Sequence, residues 1–245
     1  MILSGATLDR FLGGRVTAAQ PAKGFRAGHD TVLLAASVPA DAGSEVLELG
    51  AGAGVASLCL AARVAGIRVT GIEIDPELVQ LANENAVRNA MADGLRFEQA
   101  EIAEFAARGR AFDHVFFNPP FHPDTGQVSP SVARDRATRD VSQAVQEWTR
   151  AALAMTKHDG TVTAIIRADR ADDMREAACP YGGVVFPLFP RLGQDPKRVI
   201  VRIVKSPGPG FAFADGLVLH EADGRNTDSA EAVLRHRAAL HVAIA

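Results

Sequence analysis

Seven short apolar or β-branched runs, at residues 45–49, 68–74, 95–99, 113–117, 161–167, 184–188 and 198–205, alternate with longer Ala-rich stretches of helical period. This alternation predicts parallel strands joined by crossover helices. The first four runs lack inside/outside alternation, as strands covered on both faces do. After Arg167 the pattern changes, because only residues 189–197 separate the last two runs. A crossover helix does not fit there, so those two strands are predicted to be antiparallel neighbours. The expected fold class is α/β, with a mostly parallel seven-stranded sheet, helices on both faces and an antiparallel strand at its end.

Local signals place several helix starts. Asp30 reads as the N-cap of a helix through Leu33, Leu34 and Ala35 that stops before Pro39. Asp75 caps a helix that opens on Pro76 and carries Leu78, Leu81, Ala82 and Asn85. Asp228-x-x-Glu231 reads as a capping box for a last helix through Leu234 and Leu240, and Ser206-Pro-Gly-Pro-Gly210 as a turn.

With 245 residues, 47% of them hydrophobic, the chain can bury a full core. One domain is expected over 1–245, with a lead-in at 1–44, a core at 45–205 and a tail at 206–245. The longest apolar stretches, 31–40 and 55–62, fall short of the roughly 20 residues that span a bilayer. The first residues lack the basic start and apolar run of a signal peptide, so a cytoplasmic protein with no membrane partner is expected. Cys59 and Cys179 form no C-x-x-C and are expected to be buried thiols. The seven histidines do not cluster at ligand spacing, and no metal is expected. Arginines and lysines from Arg134 to Lys205 give that part of the chain a local basic excess. It suits either an anionic partner or solvated helix faces.

Glu48-Leu-Gly-Ala-Gly-Ala-Gly54 follows the first predicted strand and precedes a helix. Gly50, Gly52 and Gly54 can bring backbone N–H groups and a helix N-terminus against a ligand. Val55 stands where a dinucleotide fingerprint needs Gly or Ala, and no Lys follows a Gly, so neither that fingerprint nor a P-loop is present. Glu73 ends the second strand beside this turn, where a carboxylate can accept both hydroxyls of a ribose. Glu101, after the third strand, can accept from an adenine amino group while Ile102 packs on the ring; a surface acid beside a core aliphatic is the other reading. This combination resembles the class I S-adenosylmethionine-dependent methyltransferases. The resemblance implies a Rossmann-like fold, S-adenosyl-L-methionine as cofactor, and Glu48, the three glycines, Glu73, Glu101 and Ile102 around it.

Asn118-Pro119-Pro120-Phe121 closes the fourth strand. Two prolines stop the strand and fix an extended turn that delivers Asn118 and the Pro119 carbonyl to the crevice. An exocyclic amine on a base, or an amide nitrogen, is a poor nucleophile because its lone pair is delocalised. It becomes competent when acceptors hold both N–H groups and the nitrogen pyramidalises. Asn118 Oδ1 and the Pro119 C=O can be those acceptors, and Phe121 can stack on a flat substrate. The motif resembles the Asn-Pro-Pro-Tyr/Phe methyltransferases of adenine N6, guanine N2 or glutamine amide, which implies catalytic roles for Asn118, Pro119 and Phe121, with Asn118 also beside the cofactor.

Phe25-Arg-Ala-Gly-His-Asp-Thr31 resembles the matching segment of the tRNA1(Val) (adenine-37-N6)-methyltransferase family, and the resemblance extends over the whole chain. It implies tRNA as partner and places Asp30 and Thr31 near the methionine end of the cofactor; for Asp30 the helix-cap reading also stands. Arg139, with Arg134 and Arg136, lies past the reactive turn as a candidate RNA contact. This chain has Ala137-Thr138-Arg139-Asp140 where the family tends to show Ala-Arg-His-Glu. Transfer to a ribosomal RNA base or a protein glutamine, a non-catalytic nucleotide- or RNA-binding module, and an NAD-linked oxidoreductase are the alternatives. The short lead-in disfavours the glutamine enzymes, the intact Asn-Pro-Pro-Phe disfavours the binding module, and Val55 disfavours the oxidoreductase.

Overall fold

The computed structural model describes residues 6–22, 25–120 and 130–243, those of 130–141 by backbone only. In chain order the elements are β1 (Ala6–Phe11), β2 (Val16–Pro21), α1 (His29–Ser37), β3 (Glu45–Leu49), α2 (Val55–Arg63) and β4 (Arg68–Glu73). Next come α3 (Pro76–Arg88), β5 (Leu95–Gln99), α4 (Ile102–Ala106), β6 (Phe112–Phe117), α5 (Pro130–Ala154) and β7 (Thr156–Arg167). The chain continues through α6 (Ala171–Ala178), β8 (Tyr181–Arg191), β9 (Arg198–Pro207), β10 (Phe211–Phe213), β11 (Leu217–His220) and α7 (Asp228–His236).

All seven predicted strands are present, as β3 to β9. The sheet has nine strands rather than seven, in the order β10-β8-β9-β7-β6-β3-β4-β5, with β11 also on β8. β10 and β11 run parallel to β8 against two parts of the same edge. Prolines and glycines around these short segments hide them from periodicity. β9 is antiparallel to both β7 and β8, and so lies inside the sheet rather than at its rim.

Successive strand residues point to opposite faces. Val46, Phe116 and Ile165 join a core with Leu33, Leu58, Leu81 and Leu234 of α1, α2, α3 and α7. Leu47, Val115, Phe117 and Ile166 join the other core with Phe105, Val145 and Met174 of α4, α5 and α6. Each fully buried Leu or Phe contributes about 1.5–3 kcal/mol.

β1 and β2 form a separate antiparallel hairpin, and α3 supplies the missing partner of β2. Asn85 Oδ1 accepts from Ala19 N at 2.8 Å and Asn85 Nδ2 donates to Ala19 O at 2.9 Å. Asn89 does the same with Thr17 N and O, at 3.0 and 2.8 Å. Four helical residues rise about 6 Å. Two strand residues advance about 6.6 Å, so side-chain amides at helix positions i and i+4 match alternate strand residues.

Three local readings are corrected. Gly28, not Asp30, is the N-cap of α1, and Asp30 sits inside the first turn. Thr227 caps α7 by accepting from Ala230 N, one residue before the predicted box, and the helix ends at His236 rather than running through Leu240. Cys59 is buried but Cys179 is exposed, at the C-terminal end of α6. Asp75 caps α3 as read, accepting from Glu77 N at 2.8 Å.

Candidate active site

The direction of strand addition reverses beside β3, which pairs with β4 on one side and β6 on the other. Such a switch point leaves a crevice at the carboxyl ends of the strands. A cavity of about 1360 Å³ occupies that place, and its walls include Glu48, Gly50, Gly52, Glu73, Glu101, Ile102, Asn118 and Pro119. Residues from four separate strand ends therefore meet in one space.

The loop after β3 needs glycine on two counts. Gly50 and Gly54 have φ of 62° and 78°, in the left-handed region that favours glycine. A Cβ on Gly50 would lie 2.7 Å from Trp148, and one on Gly54 would lie 2.7 Å from Phe97. Trp148 reaches the cavity from α5 and packs at 5.7 Å on Phe117.

Two carboxylates hold this loop. Glu73 Oε2 accepts from Gly52 N at 2.9 Å, while Oε1 accepts from Ile74 N and Asp75 N at 2.9 and 3.2 Å. Glu48 is buried and accepts from both the N–H and the hydroxyl of Ser57, in the first turn of α2. Burial pushes the Glu48 carboxyl up to about 8; the Ser57 hydrogen bonds pull it back and Glu73 adds to the rise.

At the end of β6, Asn118 is half-buried, Pro119 buried and Pro120 exposed. Asn118 Oδ1 is shielded from solvent and has no hydrogen-bond donor among the described residues. A buried acceptor left without a donor costs about 1–3 kcal/mol.

The other candidates divide. Glu101 and Ile102 line the cavity where β5 leads into α4, and Thr31 lines it from α1. Asp30 does not form its wall; its carboxylate takes Arg198 Nε at 3.0 Å, and Arg198 lines the cavity. Phe121 and His122 lie outside the described residues, and Arg134, Arg136 and Arg139 are on α5 with only their backbone described. Trp148, Arg198, Gln20 and the exposed Phe25 also line the cavity, and the sequence reading named none of them as a site residue. Among the described residues no group of three His, Cys, Asp or Glu could hold a metal. No described helix is long and apolar enough to cross a membrane.

These residues fit S-adenosylmethionine. Glu73 has one acceptor site, on Oε2, left for a ribose hydroxyl after its three backbone bonds. Ile102 and Trp148 offer apolar walls for a purine, and the glycine turn leaves room where a Cβ would meet Trp148. The Glu48 carboxyl lies in the wall nearby.

Comparisons with known proteins agree. The methyltransferase small domain family matches residues 26–164. The tRNA1(Val) (adenine(37)-N6)-methyltransferase of Actinobacillus succinogenes is 26% identical over 183 residues, covering 74% of this chain and 77% of that protein. The protein of the same name from Porphyromonas gingivalis is 29% identical over 220 residues, covering 82% and 83%. A solved structure described as a predicted O-methyltransferase, Atu636 of Agrobacterium tumefaciens, shares the fold with a TM-score of 0.71 at 24% identity, over 86% of this chain and 98% of that one. With the crevice, the glycine turn and the family match in agreement, this chain belongs to the methyltransferase small domain family and is an S-adenosylmethionine-dependent methyltransferase.

Proposed function

We propose that this chain methylates an exocyclic amine, N6 of an adenine in a tRNA anticodon loop. Asn118, which lines the cavity shared with Glu73 and Glu48 at the end of β6 and whose Oδ1 has no donor among the described residues, carries this reading. An amine N–H satisfies that oxygen. The names of the relatives from Actinobacillus succinogenes and Porphyromonas gingivalis support adenine and tRNA as the finer assignment.

S-adenosylmethionine supplies an electrophilic methyl group on a sulfonium. Glu73 would accept a ribose hydroxyl; Glu101 and Ile102 would hold the adenine ring; the turn from Gly50 to Gly54 and Glu48 would border the rest. Thr31 faces the same space from α1. Asn118 Oδ1 accepts one N–H of the target amine and the Pro119 carbonyl the other, which localises the nitrogen lone pair as the nitrogen pyramidalises; the nitrogen takes the methyl as the methyl–sulfur bond breaks to leave a neutral thioether, and the surplus N–H proton passes to water. These contacts strengthen as the reaction proceeds, so they lower the barrier rather than merely bind substrate. Phe121, next in the motif, is assigned the stacking face of the target base, and Arg139, Arg134 and Arg136 on α5 are assigned to the RNA. A loop adenine is already unpaired and can be splayed into the cavity at low cost.

Transfer of labelled methyl from S-adenosylmethionine to tRNA lacking modifications, with nucleosides resolved by mass spectrometry, tests the assignment. The expected product is N6-methyladenosine. A chain that binds the cofactor in calorimetry yet leaves tRNA unlabelled overturns tRNA as the substrate.

A further inference from the structure

The carboxyl edge of the sheet is electrically graded. Across β5, β4 and β3 it carries Glu101, Glu73 with Asp75, and Glu48. Asn118 follows on β6. Beyond it β7 ends on Arg167, which pairs in register with Arg198 at the start of antiparallel β9. β8 brings Leu188 opposite Arg198 and then ends on Arg191. The antiparallel insertion of β9 thus puts a strand beginning, with Lys197 just before it, on the same edge as the other strands' ends. Acids border the cofactor side of Asn118 and bases the opposite side.

Arg198 is fixed rather than trailing. Its Nε donates to Asp30 Oδ2 at 3.0 Å, and Nη1 donates to Lys197 O at 3.3 Å. It lines the same cavity as Asn118 and Pro119. Strands lie about 4.8 Å apart, so β9 stands about 10 Å from β6. One nucleotide can bridge that span from base edge to phosphate. Asp169 takes Arg167 at 2.8 Å, and Asp195 lies in the segment between β8 and β9. Arg191 and Lys197 are exposed and form no ion pair among the described residues.

We propose that Arg198, held by Asp30 at the cavity, receives a phosphate of the target nucleotide, and that Lys197 and Arg191 carry the flanking RNA backbone along this edge. The inference rests on RNA being the substrate of the proposed function. It makes Asp30 a positioning residue that acts through Arg198. Arginine suits the role because its guanidinium stays charged while paired and carries five donors in a planar fork.

The test uses the full chain, an unmodified tRNA transcript and the variants Arg198→Ala, Lys197→Ala and Asp30→Asn. Affinity is read by fluorescence anisotropy across a salt series, with calorimetric S-adenosylmethionine binding beside it. Arg198→Ala and Lys197→Ala are each expected to weaken tRNA binding several-fold. Each is also expected to reduce the slope of log affinity against log salt by about one, with cofactor affinity kept. Asp30→Asn is expected to raise KM for tRNA more than it changes kcat, and to add little to Arg198→Ala. Affinity and salt slope unchanged in both Arg198→Ala and Lys197→Ala overturn the inference, while methylated adenine in the wild-type reaction leaves the proposed function standing. Arg198-dependent binding without adenine methylation supports the phosphate contact and overturns the adenine assignment. Wild-type protein that does not bind tRNA at low salt overturns both.

Discussion

Glu73 Oε2 accepts a hydrogen bond from the backbone N–H of Gly52 at 2.9 Å, so the acid that ends β4 holds the loop that follows β3. One carboxylate thereby shapes the glycine turn and lines the cavity at the switch point. The two strands are neighbours in the sheet, with Glu48 opposite Gly71 and Leu49 opposite Ile72. This register puts the end of one strand beside the loop of the other.

Glu73→Ala is expected to weaken S-adenosylmethionine binding at least tenfold, because hydrogen bonds to a charged group contribute about 1.5–3 kcal/mol. Calorimetry with the purified chain measures it. Unchanged affinity would reduce Glu73 to a support for the loop.

Asn118→Ala is expected to lower turnover by about 10² to 10³ with cofactor affinity nearly unchanged, since its acceptor acts as the amine pyramidalises. Single-turnover methyl transfer gives the rate. The chain's one tryptophan, Trp148, lies in the cavity wall and offers a fluorescence signal for cofactor binding. Loss of that signal in the variant would make Asn118 structural.

Burial holds the Glu48 carboxyl at about 8, against an ordinary value of 4.5. Below 4.5 folded and unfolded chains both keep the proton. As pH rises from 4.5 to 8 the unfolded chain releases it and the folded chain does not, so Glu48 lowers stability progressively through that window. Glu48→Gln removes this slope. The variant is expected to melt several degrees above wild type at pH 8 and level with it at pH 4, each kcal/mol moving Tm by roughly 2–4 °C. Parallel melting curves at both pH values would refute the shift.

Gly50→Ala sets a Cβ 2.7 Å from Trp148 at a φ of 62°. The indole must move, and the left-handed backbone adds about 1–2 kcal/mol of strain. A changed Trp148 emission spectrum, a lower Tm and cofactor affinity reduced at least several-fold are expected together. A wild-type spectrum and affinity would show that the loop tolerates the side chain.

Asn85→Ala removes the amide that bonds Ala19 N and O and also donates to Ala53 O at 2.9 Å. Stability is expected to fall by at least about 1–3 kcal/mol, because buried backbone groups lose their partners. Limited proteolysis is expected to cut first between residues 6 and 22. Cofactor affinity should also drop, as Ala53 belongs to the glycine turn.

Much of the fold was legible because its signals are local. Strands β3 to β9 show as apolar runs, and the turn into α3 shows in Asp75 and Pro76. The hairpin did not show, because β2 completes its pairing with Asn85 and Asn89, whose amides carry no strand signature in sequence. β10 and β11 are three and four residues long and join the sheet through β8, so their own residues say little.

At the site, Glu73, Asn118 and the three glycines stand at strand ends, where the order of residues alone puts them on the ligand edge. Trp148 and Arg198 do not. Trp148 reaches Gly50 from the far end of a 25-residue helix, and Arg198 reaches Asp30 across 168 positions. By itself the sequence determined the alternation of strands and helices, the turn chemistry and the acids and amide at the strand ends. These follow from backbone preferences and side chains within a few residues. The tertiary structure alone decided that β9 enters antiparallel beside β7, that an indole closes over Gly50, and that Asp30 meets Arg198. Each joins distant segments, and packing of the whole sheet, not any local preference, fixes which of them meet.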